Sequence, residues 1–173
     1  MAEIAVSDLS FAYRPGREVL SNVSAVFRPG EAVNILGPNG CGKTTLLKLI
    51  LGLISPPPGR VVVAGRPAES FSRRRLAQLM AYVPQNHSGV FPFKALEAVM
   101  MGRLARGPWW RYRPEDRLRA QAALERVRLA HLADRSCLEL SGGERQLVLV
   151  ARALAQQAEF LIMDEPVANL DYG

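Results

Sequence analysis

The sequence predicts a single α/β domain, and three observations lead to that prediction. Short apolar runs of strand length recur from residue 4 to residue 83, and most end at turns that contain proline or glycine. Between residues 87 and 138 the chain changes to a pattern of helix and loop. Near its end a four-residue apolar run, Phe160–Met163, precedes two acids.

The composition is that of an ordinary globular domain. A chain of 173 residues can bury a sizeable core, and 49% hydrophobic residues with a mean hydropathy of +0.03 are globular values. The longest apolar run, residues 49–54, is too short to cross a bilayer, and residues 1–8 lack the pattern of a signal peptide. Two cysteines, Cys41 and Cys137, make no disulfide framework, which favours a reducing cytosol.

The charge of the chain raises the question of a nucleic-acid partner, since the net charge is +6. The arginines are scattered and no RNA- or DNA-binding motif surrounds them, so we expect no nucleic acid. A solvated basic face is the default interpretation. A surface near anionic lipid or an acidic partner is the second.

Strands dominate the prediction for the first 85 residues. Residues 3–13 alternate as a strand, and residues 14–17 form a turn into a second strand at residues 19–27. The remaining predicted elements are a strand at residues 32–36, a helix at 45–51, a strand at 60–65, a helix at 71–79 and a short strand at 80–83.

A glycine-rich loop joins the strand predicted at residues 32–36 to the next helix. It fits the pattern G-x-x-x-x-G-K-[ST], in which backbone N–H groups converge on a polyphosphate and the helix N-terminus adds partial positive charge. Lys43 would reach the β- and γ-phosphates, and the Thr44 hydroxyl would hold Mg²⁺. The alternative, a glycine-rich turn with a chance lysine, is weaker because both flanks fit. The loop residues are Gly37, Pro38, Asn39, Gly40, Cys41, Gly42, Lys43 and Thr44.

A helix and a tryptophan-containing loop are predicted for the middle of the chain. Pro114 at the first helical position, with acids in the first turn, starts the helix. Trp109 and Trp110 precede it in a Gly-Pro-Arg loop. Packing in the core and a docking patch are both open for them.

Two further motifs lie near the end of the chain. Ser141 and Glu144 form a capping box, and the glycine-containing helix N-terminus behind Ser141 could take an anion; a simple cap is the alternative. Phe160–Met163 predicts a fully buried strand that delivers Asp164 and Glu165 to its C-terminal edge. Asp164 would hold a metal ion and Glu165 could polarise a water.

Together the phosphate loop, the sequence LSGGE at residues 140–144, and residues 160–165 resemble the ATP-binding cassette (ABC) ATPases over essentially the whole chain. The resemblance implies a P-loop NTPase fold with a RecA-like core, an N-terminal antiparallel β subdomain and an inserted helical subdomain. It places residues 1–85 in the β subdomain and phosphate-loop part, and residues 86–140 in the helical subdomain. Residues 141–173 would hold the signature helix, the Walker B strand and the D-loop.

The resemblance also implies an activity. By this resemblance, the chain would be an ATPase subunit that hydrolyses ATP to power a membrane importer. Gly102-Arg103, the two tryptophans and residues 169–173 look most like importers of iron–siderophore, haem or cobalamin complexes.

Each matching residue takes a role from the family. Tyr13 would stack on adenine, with a tyrosine in the core of the first strand as the alternative. Glu165 would be the general base, with Gln85 and Lys43 completing the catalytic set, and Gln85 would also link to the membrane subunit. Mg²⁺ would be held by Thr44, Gln85 and Asp164. The nucleotide-binding residues beyond the loop would be Tyr13, Thr45, Ser141, Gly142, Gly143 and Asp171.

The partners implied by the family arise from a two-sided site. Residues 141–143 would touch the γ-phosphate bound to the opposite subunit, and residues 168–171 would cross the interface, so ATP would join two ATPase subunits head to tail. Transmembrane permease subunits, and indirectly a substrate-binding protein, would complete an importer at the cytoplasmic face of the membrane. The alternatives are a non-hydrolysing nucleotide-binding fragment or regulatory module, and a soluble ABC protein that acts on ribosomes or DNA.

Departures from the family pattern occur at two places. Val167 stands where many members have threonine or serine, and we expect little effect. The family continues with another strand and a histidine that contacts the γ-phosphate, whereas the histidines of this chain are His87 and His131. We therefore expect the C-terminal strands and the switch histidine to be absent, and the chain to be a fragment of a longer ATPase or a truncated product.

Overall fold

The computed structural model describes residues 3–85, 92–107 and 111–165. The chain divides into two compact units, residues 1–77 and 78–173, which are described separately. The helices and strands are β1 (Ile4–Arg14), β2 (Arg17–Phe27), α1 (Lys43–Ile50), β3 (Val61–Val63), β4 (Arg66–Pro67), α2 (Arg73–Leu79), β5 (Met80–Val83), α3 (Ala95–Met100), α4 (Pro114–Arg126), α5 (Gly142–Gln156) and β6 (Phe160–Met163), with 3₁₀ turns at residues 68–70, 101–103, 130–132 and 137–139. Within the described residues, no helix combines the length and the apolar character needed to cross a bilayer.

The first unit is built on the antiparallel hairpin that the alternating pattern predicts. β1 and β2 pair along their length and turn at residues 15–16, where Gly16 has a φ of +78°. β3 pairs with the other side of β1, and β4 pairs with β3, which gives the antiparallel order β2-β1-β3-β4. The hairpin and the strand near residues 60–65 are therefore confirmed.

The strand predicted at residues 32–36 is not formed, and that prediction is wrong for this structure. The segment is irregular, and it is exposed along its length: Leu36 is 89% exposed and Val33 is 53% exposed. A strand is stable only when its backbone N–H and C=O groups pair with a neighbour. No strand of the described residues pairs with this segment, so its apolar side chains do not by themselves make it a strand.

In the second unit, α5 lies between two sets of neighbours. One of its faces packs with α3 and α4 in an apolar cluster that includes Leu96, Leu124 and Val148. Ala153, on its other side, packs with Ala81 and Val83 of β5. β5 and β6 form a parallel pair, so the same helix supports the sheet and completes the helical layer.

The C-terminal end of α5 is held by two arginines from the segment after α3. The buried guanidinium of Arg103 donates to the carbonyl of Ala155 at 3.0 Å, and Arg106 donates to the carbonyl of Gln156 at 3.0 Å. These carbonyls have no partner inside the helix, and a cation also suits the negative end of the helix dipole. Gly102 makes this approach possible, because a Cβ atom there would lie 2.2 Å from the carbonyl oxygen of Arg152.

A buried ion pair anchors the same segment to α4. The Arg103 Nε donates to Asp116 Oδ1 at 2.9 Å, and the backbone N–H of Arg113 donates to Asp116 Oδ2 at 2.9 Å. Burial alone would raise the pKa of Asp116, but the hydrogen bonds from Arg113 and Arg103 outweigh it and lower that pKa. The sequence indicated Asp116 only as one of the acids in the first turn of a helix. In the structure it is the counter-charge of the buried Arg103.

Replacing Asp116 with alanine is expected to destabilise the chain by about 3–5 kcal/mol, because Arg103 would become a buried cation without its counter-charge. The combined change Arg103→Met and Asp116→Leu removes both charges and should cost less. The pKa of Asp116 is lower in the folded chain than in the unfolded chain, where it is about 3.9. The ionised carboxylate therefore adds to the free energy of unfolding above about pH 4, and this stabilisation is lost as the pH falls through the folded pKa. Urea unfolding at several pH values measures the free energy of unfolding of each variant. Equal losses of stability in Asp116→Ala and in the combined variant would contradict the role of Asp116 as a counter-charge.

Candidate functional site

In the first unit, the phosphate loop leads into α1 through a glycine that no other residue could replace easily. Gly42 has a φ of +99°, and a Cβ atom there would lie 2.9 Å from the carbonyl oxygen of Val19 on β2. The helix then begins at Lys43, as the motif requires, and its first backbone N–H groups have no side-chain cap. An uncapped helix N-terminus is a suitable place for an anion.

The Lys43 side chain lies back along the loop. Its ammonium donates to the carbonyl of Gly37 at 2.7 Å and to the carbonyl of Pro38 at 3.1 Å. Cys41 is a free, exposed thiol in the same loop. The Lys43 ammonium is thus held at the loop by two neutral carbonyl acceptors. A phosphate oxygen could take their place and would accept a stronger, charge-assisted hydrogen bond.

Tyr13 lies near the end of β1 and is 57% exposed, so the interpretation of Tyr13 as a core residue is wrong. Its ring meets Phe11 edge to face at 5.1 Å, and its hydroxyl lies 3.3 Å from the hydroxyl of Thr45 on α1. The sequence did not suggest this contact between the aromatic residue and the phosphate-loop helix. An exposed ring fixed beside that helix is available for stacking on a base.

In the second unit, the parallel pair β5–β6 presents two acids at its C-terminal edge. Met80 pairs with Phe160 and Val83 with Met163, and the ladder continues with the N–H of Asp164 donating to the carbonyl of Val83 at 3.0 Å. β6 is less buried than predicted: Leu161 is 43% exposed, because β5 is its sole partner among the described strands.

Asp164 is buried, with 4% of its surface exposed. The hydroxyl of Tyr82 donates to its Oδ2 at 3.4 Å, and within the described residues no lysine or arginine forms an ion pair with it. A buried carboxylate without a counter-charge is costly, so a cation is a natural ligand. A carboxylate oxygen suits a hard cation such as Mg²⁺, and the hydroxyl of Thr44 in the first unit is of the same donor class.

The neighbouring acid is held by the glutamine predicted from the sequence. The Gln85 side-chain amide donates to the carboxylate of Glu165, so each acid of the pair accepts a hydrogen bond from a neutral donor on or just after β5. Glu165 has a φ of +44°, a region that residues other than glycine rarely occupy. The backbone at Glu165 thus has a conformation that is uncommon for this residue type, and Gln85 holds its carboxylate.

The start of α5 forms the capping box that the sequence predicts. The Ser141 hydroxyl accepts from the N–H of Glu144 at 3.2 Å, and the N–H of Ser141 donates to the Glu144 carboxylate at 2.7 Å. These bonds lower the pKa of Glu144. Ser141 and Gly142 are exposed, so the N-terminal end of the helix is open to solvent and to a partner.

Several predictions fall on residues outside the described part of the chain. They concern Trp109, Trp110, His87 and residues 167–171, Asp171 among them, and they stay predictions. The sequence motifs did not indicate Tyr82 or Phe11. The structure places Tyr82 in contact with Asp164, and Phe11 in contact with Tyr13. Alternation along β5 could have indicated Tyr82, since it shares a face of the sheet with Asp164 once the strands are paired.

The fold and these motifs define a nucleotide-binding α/β domain of the P-loop NTPase class, and comparison with known proteins gives its family. The profile of the ABC transporter family matches residues 20–168. The chain therefore belongs to the ABC transporter family, and its fold is that of the family's ATP-binding cassette.

Individual relatives agree with this assignment. The chain is 43% identical over 171 residues to an uncharacterised ABC transporter ATP-binding protein of Haemophilus influenzae, covering 98% of this chain and 65% of that protein. It is 40% identical over 163 residues to a hemin import ATP-binding protein of Pseudomonas putida, covering 91% of this chain and 63% of that one. A solved nucleotide-free ATP-binding cassette superposes with a TM-score of 0.83 at 27% identity, covering 99% of this chain and 72% of its own. The chain thus spans about two thirds of the length of the first two relatives.

Proposed function

We propose that this chain is the ATP-binding and ATP-hydrolysing part of a subunit that powers a membrane importer. The observation that supports it most is the edge of the β5–β6 pair. There Asp164 is buried without an ion-pair partner among the described residues, and the adjacent Glu165 accepts a hydrogen bond from Gln85. A metal-binding acid next to an acid that can take a proton is what phosphoryl transfer to water requires.

The phosphate loop would bind the nucleotide. Backbone N–H groups of residues 37–45 and the start of α1 would hold the phosphates, the Lys43 ammonium would contact the β- and γ-phosphates, and the ring of Tyr13 would stack on the base. Mg²⁺, held by Thr44, Gln85 and Asp164, would neutralise phosphate charge when bound.

Glu165 would take the proton from the attacking water. Its carboxylate is half-buried and directed by the contact with Gln85. Because Gln85 donates to the carboxylate that would take the proton, a change in this contact would alter the base. Residues 141–143, at the open N-terminal end of α5, would bind the γ-phosphate held by a second copy, and Asp171 would lie at that interface.

The remaining parts of the assembly are proposed from the family. Two ATPase subunits would pair head to tail, dock on permease subunits at the cytoplasmic face of the membrane, and serve a substrate-binding protein indirectly. The cargo would be a metal chelate such as an iron–siderophore, haem or cobalamin complex. The hemin import relative and the Gly102-Arg103 sequence support that cargo class.

Release of phosphate from ATP by the purified chain tests this function. We expect release to require Mg²⁺ and to rise more steeply than linearly with chain concentration, because each site needs two copies. A rate proportional to concentration, from a chain that stays monomeric in MgATP, would contradict the pairing. Bound ATP without any release would favour the non-hydrolysing nucleotide-binding module instead.

A further inference from the structure

Tyr82 belongs to none of the motifs named in the sequence, yet it lies against one acid of the pair, Asp164. It occupies the third position of β5, opposite Ile162 of β6, and Asp164 lies two residues after Ile162. Side chains two apart on a strand share a face of the sheet, so the register itself brings the phenol and the carboxylate to one side. The Tyr82 hydroxyl reaches Asp164 Oδ2 at 3.4 Å.

The direction of this hydrogen bond is settled by protonation. A phenol carries its proton at neutral pH, and a carboxylate oxygen can only accept. Tyr82 is therefore the donor and Asp164 the acceptor. The backbone N–H of Asp164 donates to the carbonyl of Val83, and the Tyr82 hydroxyl donates to its side-chain carboxylate.

We propose that Tyr82 is a positioning residue for the metal site: its hydroxyl donates to Oδ2 of Asp164, so that Oδ1 is the oxygen that would bind the cation. This inference rests on the proposed function, since it assumes that Asp164 holds Mg²⁺ beside a bound nucleotide. Hydrogen bonds that orient a metal ligand are worth about 10–100-fold in metal affinity. The contact is long, so we expect the lower end of that range.

A positioning role and a merely structural role would change different quantities. When the Tyr82 hydroxyl is removed, more Mg²⁺ should be needed to strengthen nucleotide binding. The Mg²⁺ concentration at the midpoint of that change should rise about tenfold. The affinity for nucleotide in the absence of Mg²⁺ should stay the same, because the phosphate loop in the first unit is unchanged. A general loosening of the second unit would instead lower the melting temperature and leave no selective effect of Mg²⁺.

Tyr82→Phe in the full chain tests this, with Tyr112→Phe as the matched control. Both changes remove one phenol hydroxyl, and Tyr112 lies on the approach to α4, where it is 40% exposed. The probe is a fluorescent ATP analogue, titrated against each protein in EDTA and then at rising Mg²⁺ concentrations. Thermal unfolding shows whether each variant is folded, and if Tyr82→Phe is not, Tyr82→Met is used in its place.

A selective rise in the Mg²⁺ requirement of Tyr82→Phe, with Tyr112→Phe like the wild type, is the expected result. A Tyr82 variant that is folded and responds to Mg²⁺ as the wild type does would overturn the role of Tyr82 and leave the proposed function standing. Equal weakening with and without Mg²⁺ would also overturn it. A wild-type chain whose nucleotide affinity ignores Mg²⁺ would overturn the proposed function, and this inference with it.

Discussion

Replacing Lys43 with alanine is expected to lower ATP turnover by about 10²–10³-fold, the range measured when one electrostatic donor to a reacting group is deleted. The affinity for ATP should also fall, by about 10–100-fold, because an ammonium–phosphate hydrogen bond contributes about 1.5–3 kcal/mol. In the structure the ammonium is bonded to the carbonyls of Gly37 and Pro38, so it lies at the loop that would hold the phosphates. Fluorescent-nucleotide titration and phosphate release measure the two effects.

Lys48→Ala is the control for this change. Lys48 lies in the last turn of the same helix, so its removal costs a small amount of helix stability and no contact with the phosphate loop. Nucleotide affinity close to that of the wild type is expected for Lys48→Ala. Equal losses in the two variants would show that the effect is on the helix and that Lys43 makes no contact with phosphate.

Glu165→Gln is the second change with a large expected effect. Turnover should fall by at least about 10²-fold, since general-base catalysis contributes roughly 10²–10⁴, whereas ATP binding should be retained. The amide keeps the shape of the side chain and removes the site that accepts the proton. Two copies that hold unhydrolysed ATP should therefore stay together, and light scattering with MgATP should show a dimer that disperses when ATP is removed.

Glu159→Gln is the matched control for this effect. Glu159 immediately precedes β6, so Glu159→Gln makes the same chemical change at the opposite end of the same strand. It should leave turnover and association unchanged. If Glu165→Gln turns over ATP as fast as Glu159→Gln, Glu165 is not the base.

The parts of the fold that depend on local sequence were predicted correctly. The β1–β2 hairpin results from alternation and a Pro-Gly turn, and α5 results from the capping box at Ser141 and Glu144. In both cases the determining contacts join residues within one element or across one turn. The start of α1 directly after Gly42 belongs to the same group, because the glycine and the helix are contiguous in the sequence.

Features that depend on distant partners were not predicted. The apolar segment at residues 32–36 has the composition of a strand, yet a strand needs a neighbour that its own sequence does not specify. Arg103 and Asp116 are thirteen residues apart and form a buried pair only because α4 folds back onto the segment that precedes it. Tyr82 and Asp164 are eighty-two residues apart, and only the register of β5 against β6 brings them together.

Hydrolysis by this chain is tested most sharply by Mg²⁺-dependent release of phosphate from ATP by the 173-residue chain, with Lys43→Ala as the blank. We predict release clearly above the blank in Mg²⁺ and none above it in EDTA, which would show that the chain holds a working Mg²⁺-dependent site. Release equal to the blank, from a chain that is folded and binds ATP, would contradict hydrolysis by this chain. The chain would then be a nucleotide-binding module.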